Sequence, residues 1–573
     1  MKKDSFSYSL KNFFFYCSII LIGYFFYAYN GKFIIDDFSI VNSDKNLNFF
    51  EFYKIFEISF GNRPLAIIYY FVISKLPSNY LLYFTISLSQ HILCIFLLYK
   101  LFDFLFYSEE IKKTFFLLII FPFFSFTTLY SPGMQSIGNY SLAIFLFALI
   151  LLKKFILEKK KYLYAFSVLL IVLAFLTYES FFPLIILFIF FPLIFKQNYK
   201  ILFINLFFIL IILLIIFSFQ KYLAYRPQGE DLSRIRNLNI FSLIRLCFVN
   251  LLLLTNFFFE NFYDAFLNIK NLANKSSYFA LMQIAFLNFI FIYFIFKLRR
   301  GPLNIVKPFR IFFIIIFIIF LTILMHSVAD TGIEFRDYNN RGTLAMSFVP
   351  PIFLLLLYNT NIKNNYIIFF KFFFIFFYCS IIINFFSFQQ YEYVKLDKFK
   401  KIYLTVKENN FINGKTFLFI KIEPQNYIEN KYSYSSSNYF DNFMNEDIDY
   451  IEKIIVKNNL NYKKNDQVIK INDFSVVFNL RHTFCKYFLI SDDDLKRHSN
   501  FIALNIVEKN YTYLNLTELK QHLYNEKNTN CTNEYEILLK KLFNKNKAYL
   551  DEKNIPILIK NLYIYNVLKF IFI

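Results

Sequence analysis

The chain has 573 residues, 57% of them apolar, and a mean hydropathy of +0.45, above the ~45–50% apolar content of ordinary soluble domains. Its formal net charge of +21 suggests nucleic acid only if topology is ignored, because basic residues gather on the cytoplasmic side of membrane spans, so no nucleic-acid partner is expected. Phe 86 and Tyr 44 without Trp is what an A+T-rich coding sequence produces, so aromatic stripes are not by themselves evidence for sugar or base stacking.

In chain order, Met1-Lys2-Lys3 precedes an apolar stretch over 12–29 with no small-residue cleavage site after it, which reads as a retained signal anchor. Further apolar runs lie at 80–101, 114–130, 139–152, 162–178, 181–195, 200–218, 278–296, 311–329, 342–358 and 366–387. Most come near the ~20 residues that cross a hydrocarbon core of about 30 Å. Together with the anchor they predict eleven spans.

Two further segments, 64–76 and 240–259, decide the parity of everything between them. Lys153, Lys154, Lys159, Lys160 and Lys161 surround a single Glu158, and Lys297, Arg299, Arg300, Lys307 and Arg310 share their loop with no acid. Both loops belong in the cytoplasm. With a cytoplasmic N-terminus this holds if neither segment crosses, so 64–76 and 240–259 are expected as interfacial or re-entrant helices in the outer leaflet, which protein cover tolerates. The outer face then receives residues 30–79, the turns near 131–140 and at Glu179, the segment 219–277, the loop 330–341 and the tail from 388.

That tail is polar and carries alternating runs at 416–420, 468–478 and 501–507, strand-like by period and β-branched content. Helical patterns follow at 516–524 and 534–543. The expected architecture is therefore an all-α transmembrane bundle over 1–387 followed by a small α+β extracytoplasmic domain over 388–573. The last apolar stretch, 555–573, is interrupted by Lys560, Asn561 and Lys569 and reads as a docking element rather than a span. Cys485 and Cys531 lie in the tail, where one disulfide and two free thiols are equally compatible with the spacing. There is no internal repeat, Gly-rich phosphate loop or zinc-type Cys/His spacing.

The first outer loop contains Phe33-Ile34-Ile35-Asp36-Asp37-Phe38. Adjacent acids at a membrane surface serve as a general base or hold a divalent cation; two solvated acids in a turn is the simpler reading of these residues alone. The loop continues through an amphipathic stretch, 49–60, into Gly61-Asn62-Arg63-Pro64-Leu65, which sets a cation beside a helix-starting proline. A plain interfacial anchor is the competing role for Arg63. Loop 330–341 adds Arg336 and Arg341 among acids that include Asp337, and the planar arginine fork suits phosphate oxygens. His91, Glu179 and His326 interrupt or border apolar runs, where burial of an ionisable group is costly enough to suggest function. A neutral imidazole satisfied by one carbonyl, and a solvated Glu179, are the structural alternatives.

This arrangement resembles the GT-C superfamily of membrane glycosyltransferases. Asp36-Asp37 matches its acidic motif, and Gly61-Asn62-Arg63-Pro64-Leu65 is similar to the Gly-Arg-Pro-Leu element of serotype-type glucosyltransferases, with Asn62 inserted. The stretch 80–101 with His91, and Glu179 before Pro183, are similar to less specific family features. The resemblance covers residues 1–200 and loop 330–341; the tail has no counterpart. It implies transfer of a sugar from a polyprenyl-phosphate donor to an extracytoplasmic glycan, lipid or protein acceptor, in the cell (inner) membrane. Asp36 or Asp37 would be the base, with a divalent cation as the one cofactor to consider. Arg336 or Arg341 would stabilise the leaving phosphate, and Arg63, His91, Glu179 and Asp337 would line the substrate site. A surface-polysaccharide polymerase or ligase is the alternative, although such proteins place their large loop between late spans. A non-enzymatic transporter is the third reading, and it calls for internal symmetry and broken spans.

Overall fold

The computed structural model describes residues 4–30, 45–60, 63–77, 79–121, 136–195, 199–224, 240–274, 278–299, 308–328, 344–359, 364–408, 416–421, 500–505 and 510–514, with the isolated positions 40, 133, 333 and 517. The chain divides into two compact units, Met1–Gln389 with Ala548–Ile573, and Gln390–Lys547.

The first unit contains the helices α1 (Asp4–Asn30), α2 (Phe49–Phe60), α3 (Pro64–Ser74), α4 (Tyr80–Phe102), α5 (Glu109–Ile120), α6 (Ser136–Glu158) and α7 (Lys161–Thr177). A 3-10 turn, Glu179–Leu184, leads into α8 (Ile185–Phe195) and α9 (Tyr199–Ala224). Then come α10 (Ile240–Asn274), α11 (Tyr278–Lys297), α12 (Pro308–Val328), α13 (Val349–Tyr358) and the start of α14 (Asn364–Glu408). Among the described residues, five stretches are long and apolar enough to cross a membrane: Tyr80–Leu105, Ser136–Glu158, Ile240–Lys270, Tyr278–Lys297 and Asn365–Ser387. They are compatible with a membrane protein.

Side-chain placement inverts the pattern of a water-soluble bundle. On α10 the exposed face carries Phe241, Ile244, Phe248 and Phe266, while Asn250, Asn261, Asp264 and Asn268 are buried. On α9, Phe203, Phe207 and Leu214 face outward and Asn205 is buried, its amide nitrogen donating to the Phe188 carbonyl at 2.8 Å. Polar groups inside and phenylalanines outside suit an apolar surrounding, where an unsatisfied polar group is costly.

Local chemistry sets the helix ends. The Asn79 side chain accepts from the Leu81 N–H at 2.9 Å and opens α4, as N-cap asparagines do. At the other end Lys153 of α6 donates to the Lys100 and Leu101 carbonyls at 2.9 and 3.2 Å and pairs with Asp103, placing a cation on the negative end of the α4 dipole. Ser108 caps α5 from the Ile111 N–H, with Glu109 and Glu110 in its first turn. The backbone N–H at that helix start holds the Glu110 carboxyl below its ordinary value, burial opposes the shift, and Ser108, Lys297 and Lys113 add to the lowering.

Three expectations change. The apolar run over 114–130 is not described as one helix: α5 stops at Ile120, and Phe121 is extended, with φ −95° and ψ 98°. Pro122 follows, and the residue before a proline is driven out of the α region. The segment expected at 181–195 opens instead as the Glu179–Leu184 turn, with Pro183 inside it. The third change is one of length: the segment expected as an interfacial or re-entrant helix at 240–259 extends without a break to Asn274, and by length and composition it could cross. Its asparagines interrupt the apolar run in sequence, but Asn250, Asn261 and Asn268 are bonded to side chains of neighbouring helices.

Where α1 meets α5, Gly23 makes room for an aromatic ring: a Cβ there would stand 2.5 Å from Phe121 Cε1. The neighbouring Tyr24 ring stacks on Phe121 at 6.1 Å between centroids.

In the second unit the described residues form a three-stranded sheet of order β1 (Thr416–Lys421), β2 (Asn500–Asn505) and β3 (Asn510–Leu514). β1 pairs with β2 in parallel, Thr416 opposite Asn500, and β2 pairs with β3 antiparallel, Phe501 opposite Leu514. Two expected strands are thus present and β3 is additional. The strand expected at 468–478, the helices at 516–524 and 534–543, Cys485, Cys531 and the stretch 555–573 lie outside the described residues.

Candidate functional site

Of the residues singled out by sequence, Asp36, Asp37, Arg336, Asp337 and Arg341 lie outside the described residues. Arg63, His91 and the backbone of Glu179 are described. Arg63 stands at the N-cap of α3, with Pro64 in the first turn, where the missing proline N–H costs nothing. Its backbone carbonyl accepts the first helical bond from Ala66 at 2.9 Å. The side chain is only 2% exposed, and its guanidinium lies 4.6 Å from the centroid of the Tyr178 ring, within cation–π range. Tyr178 is the extended residue that ends α7 and precedes Glu179. Packing therefore brings Arg63, at the start of α3, against Tyr178, the residue that precedes the Glu179–Leu184 turn.

A second polar cluster, unforeseen apart from His91, joins α3, α4 and α6. The Gln90 side-chain nitrogen donates to the Tyr69 hydroxyl at 3.0 Å, and that hydroxyl shares a 2.7 Å hydrogen bond with Ser136 in the first turn of α6. Tyr140 stacks on Tyr69 at 5.1 Å. Farther along, the Cys94 thiol donates to the Asn139 carbonyl at 3.3 Å. His91 lies half-way along α4 and is 3% exposed. The backbones of Ile119 and Ile120 stand beside its ring, but neither ring nitrogen reaches hydrogen-bond geometry.

The broken end of α5 is finished by side chains from other helices. Tyr24 of α1 donates its hydroxyl to the Ile120 carbonyl, and Tyr378 of α14 donates to the Leu117 carbonyl, with Phe121 O at 3.4 Å. Carbonyls in the last turn of a helix have no partner within it, so these hydroxyls supply what Pro122 prevents the chain from supplying. Gln283 of α11 likewise donates to the Ile22 carbonyl of α1 at 2.6 Å.

A third polar seam runs along α10. Asn250 donates to Ser327 of α12 at 3.0 Å and accepts from the Ile333 N–H at 2.9 Å. Asn268 donates to Asn384 of α14 at 2.9 Å, Asn384 donates to Asn261 Oδ1 at 2.8 Å, and Asn261 donates to Ser380. Phe257 and Phe258 pack on Phe377, so both helices advance along this seam in the same chain sense.

Among the described residues no three His, Cys, Asp or Glu side chains come together as a metal site. The geometry thus offers a buried cation against an aromatic face at the start of α3 and neutral polar clusters inside the bundle. Comparison with protein-family models, with curated proteins and with solved structures gave no match.

Proposed function

We propose that the chain is a multi-pass protein of the cell (inner) membrane that transfers a sugar from a polyprenyl-phosphate donor to a glycan, lipid or protein acceptor outside the cytoplasm. The observation that carries this reading is the seat of Arg63 over Tyr178, 4.6 Å from the ring centroid. Arg63 belongs to the Gly61-Asn62-Arg63-Pro64-Leu65 element of the GT-C resemblance, and Tyr178 directly precedes Glu179, another of its positions. In the proposed reaction the acceptor hydroxyl oxygen attacks the anomeric carbon while Asp36 or Asp37 takes its proton. The bond from that carbon to the lipid phosphate breaks, and the phosphate leaves with the electron pair. Arg336 or Arg341 stabilises its charge, and Arg63, His91, Asp337 and Glu179 line the donor site.

The topology that goes with this reading has eleven crossings, a cytoplasmic N-terminus and the β1–β3 sheet in a small extracytoplasmic α+β domain. For α10 it keeps the outer-leaflet placement. Support comes from its partners, which lie at the end of α12 and in the second half of the Asn365–Ser387 span. The shared chain sense of α10 and α14 also fits a helix that climbs outward beside α14. Reporter fusions after residues 110, 157 and 303 should read as cytoplasmic and a fusion after 450 as external. An external signal at 303 would make α10 a span.

The function is tested with the purified protein in vesicles containing a radiolabelled polyprenyl-phosphate hexose and an envelope extract. The expected result is label in a new glycosidic linkage, released by a glycosidase and absent without protein. One observation favours a second reading: α5 stops inside the bundle, and broken helices build transporter sites. A transporter would move the labelled lipid or sugar across the vesicle wall and form no new linkage.

A further inference from the structure

We propose that an internal water site lies between His91 of α4 and Asn139 of α6, inside the helical bundle. Asn139 is fully buried and His91 is 3% exposed. Among the described residues, neither polar atom of the Asn139 carboxamide has a hydrogen-bond partner, and the His91 ring stands beside the Ile119 and Ile120 backbones with neither nitrogen in full hydrogen-bond geometry.

Two ties hold the stretches of α4 and α6 that carry these side chains beside each other. On one side Gln90, the neighbour of His91, reaches Ser136 through Tyr69, and Ser136 lies one turn before Asn139. On the other side Cys94, one turn after His91, bonds to the Asn139 backbone. His91 and Asn139 fall between these two ties, and residues three or four apart on a helix share a face.

The chemistry of the pair selects the occupant. A neutral imidazole offers one donor and one acceptor, and a carboxamide offers two donors and one acceptor oxygen. A cation would meet the N–H donors, and an anion would find no charged partner. Water donates and accepts together. Its buried sites usually supply about three hydrogen bonds, and here the imidazole, the carboxamide and the neighbouring Ile119 and Ile120 backbones provide that number. Buried polar groups are rarely left unpaired in native proteins.

The test is radiolytic labelling of the full chain in detergent, since hydroxyl radicals formed from a bound water oxidise the side chains beside it. The peptide carrying His91 and Cys94 should acquire oxygen despite its burial, whereas the equally buried 115–118 segment should not. Asn139→Leu should lose that label. An unlabelled His91 peptide in the wild type, or undiminished label in Asn139→Leu, overturns the proposal. A second arm compares thermal midpoints of Asn139→Leu, His91→Phe and the double variant. A shared water predicts that each single change lowers the midpoint and that the double lowers it by less than the sum. Additive increases, as expected from relieving dry unpaired groups, also overturn it. Neither readout depends on sugar transfer, so failure here leaves the glycosyl-transfer reading to its own assay.

Discussion

Replacing Asp36 or Asp37 singly with asparagine is expected to abolish sugar transfer in at least one of the two variants while the amount of protein in the membrane stays at the wild-type level. Asparagine keeps the size of the side chain and removes the group that accepts a proton. General-base catalysis is commonly worth about 10²–10⁴ in rate, so the affected variant should fall to the background of the vesicle assay. If one variant alone is inactive, that residue is the base. If both are inactive and neither responds to added divalent cation, the pair acts as one unit, and a response to cation would place a metal on the two carboxylates. Full activity in both variants sinks the catalytic assignment, whichever way the topology falls.

A large structural effect is expected from Tyr24→Phe and Tyr378→Phe. Each change deletes only a hydroxyl, yet that hydroxyl ends on a carbonyl of the last α5 turn or the residue after it. Leaving a buried acceptor without its donor costs about 1–3 kcal/mol. Each single variant should lose several degrees of thermal midpoint in detergent. The double variant should depart from additivity, because both hydroxyls secure the same helix end. Tyr140→Phe is the control, since its ring stacks on Tyr69 and is 40% exposed. Unchanged midpoints for both buried tyrosines would mean that the α5 end is satisfied in some other way.

The outcome at individual residues shows what a sequence of this kind makes legible. The caps at Asn79 and Ser108 act each on its own helix, so their signal is local although the hydropathy reading did not use it. The break at Phe121 was also written locally, in the proline that follows it, but the unbroken apolar run to 130 outweighed that single signal. On α10 the misleading feature was polarity. Asn250, Phe257, Asn261, Asp264 and Asn268 recur at intervals of three, four or seven residues, which marks one helical face. The apolar run stops before Glu260 and Asp264, although the helix continues to Asn274. The meeting of Arg63 with Tyr178, and of Tyr378 with the end of α5, depends on helices distant in sequence, so no local pattern announces either. The acids Asp36 and Asp37 and the arginines Arg336 and Arg341 were chosen from residue chemistry alone.

The cleft that Gly23 leaves for the Phe121 ring works as an index mark. Sliding or turning α1 by one residue would bring the Cβ of Ile22 or Tyr24 to where the ring sits, so α1 is held at a single height relative to α5. The helix continues to Asn30, and Asp36 follows six residues later. A chain of that length spans at most about 20 Å. The acidic pair is therefore on a short tether whose anchor point is fixed by one missing methyl group. Shifting that anchor, for example with Gly23→Val, would change how far the acids can reach without touching either of them.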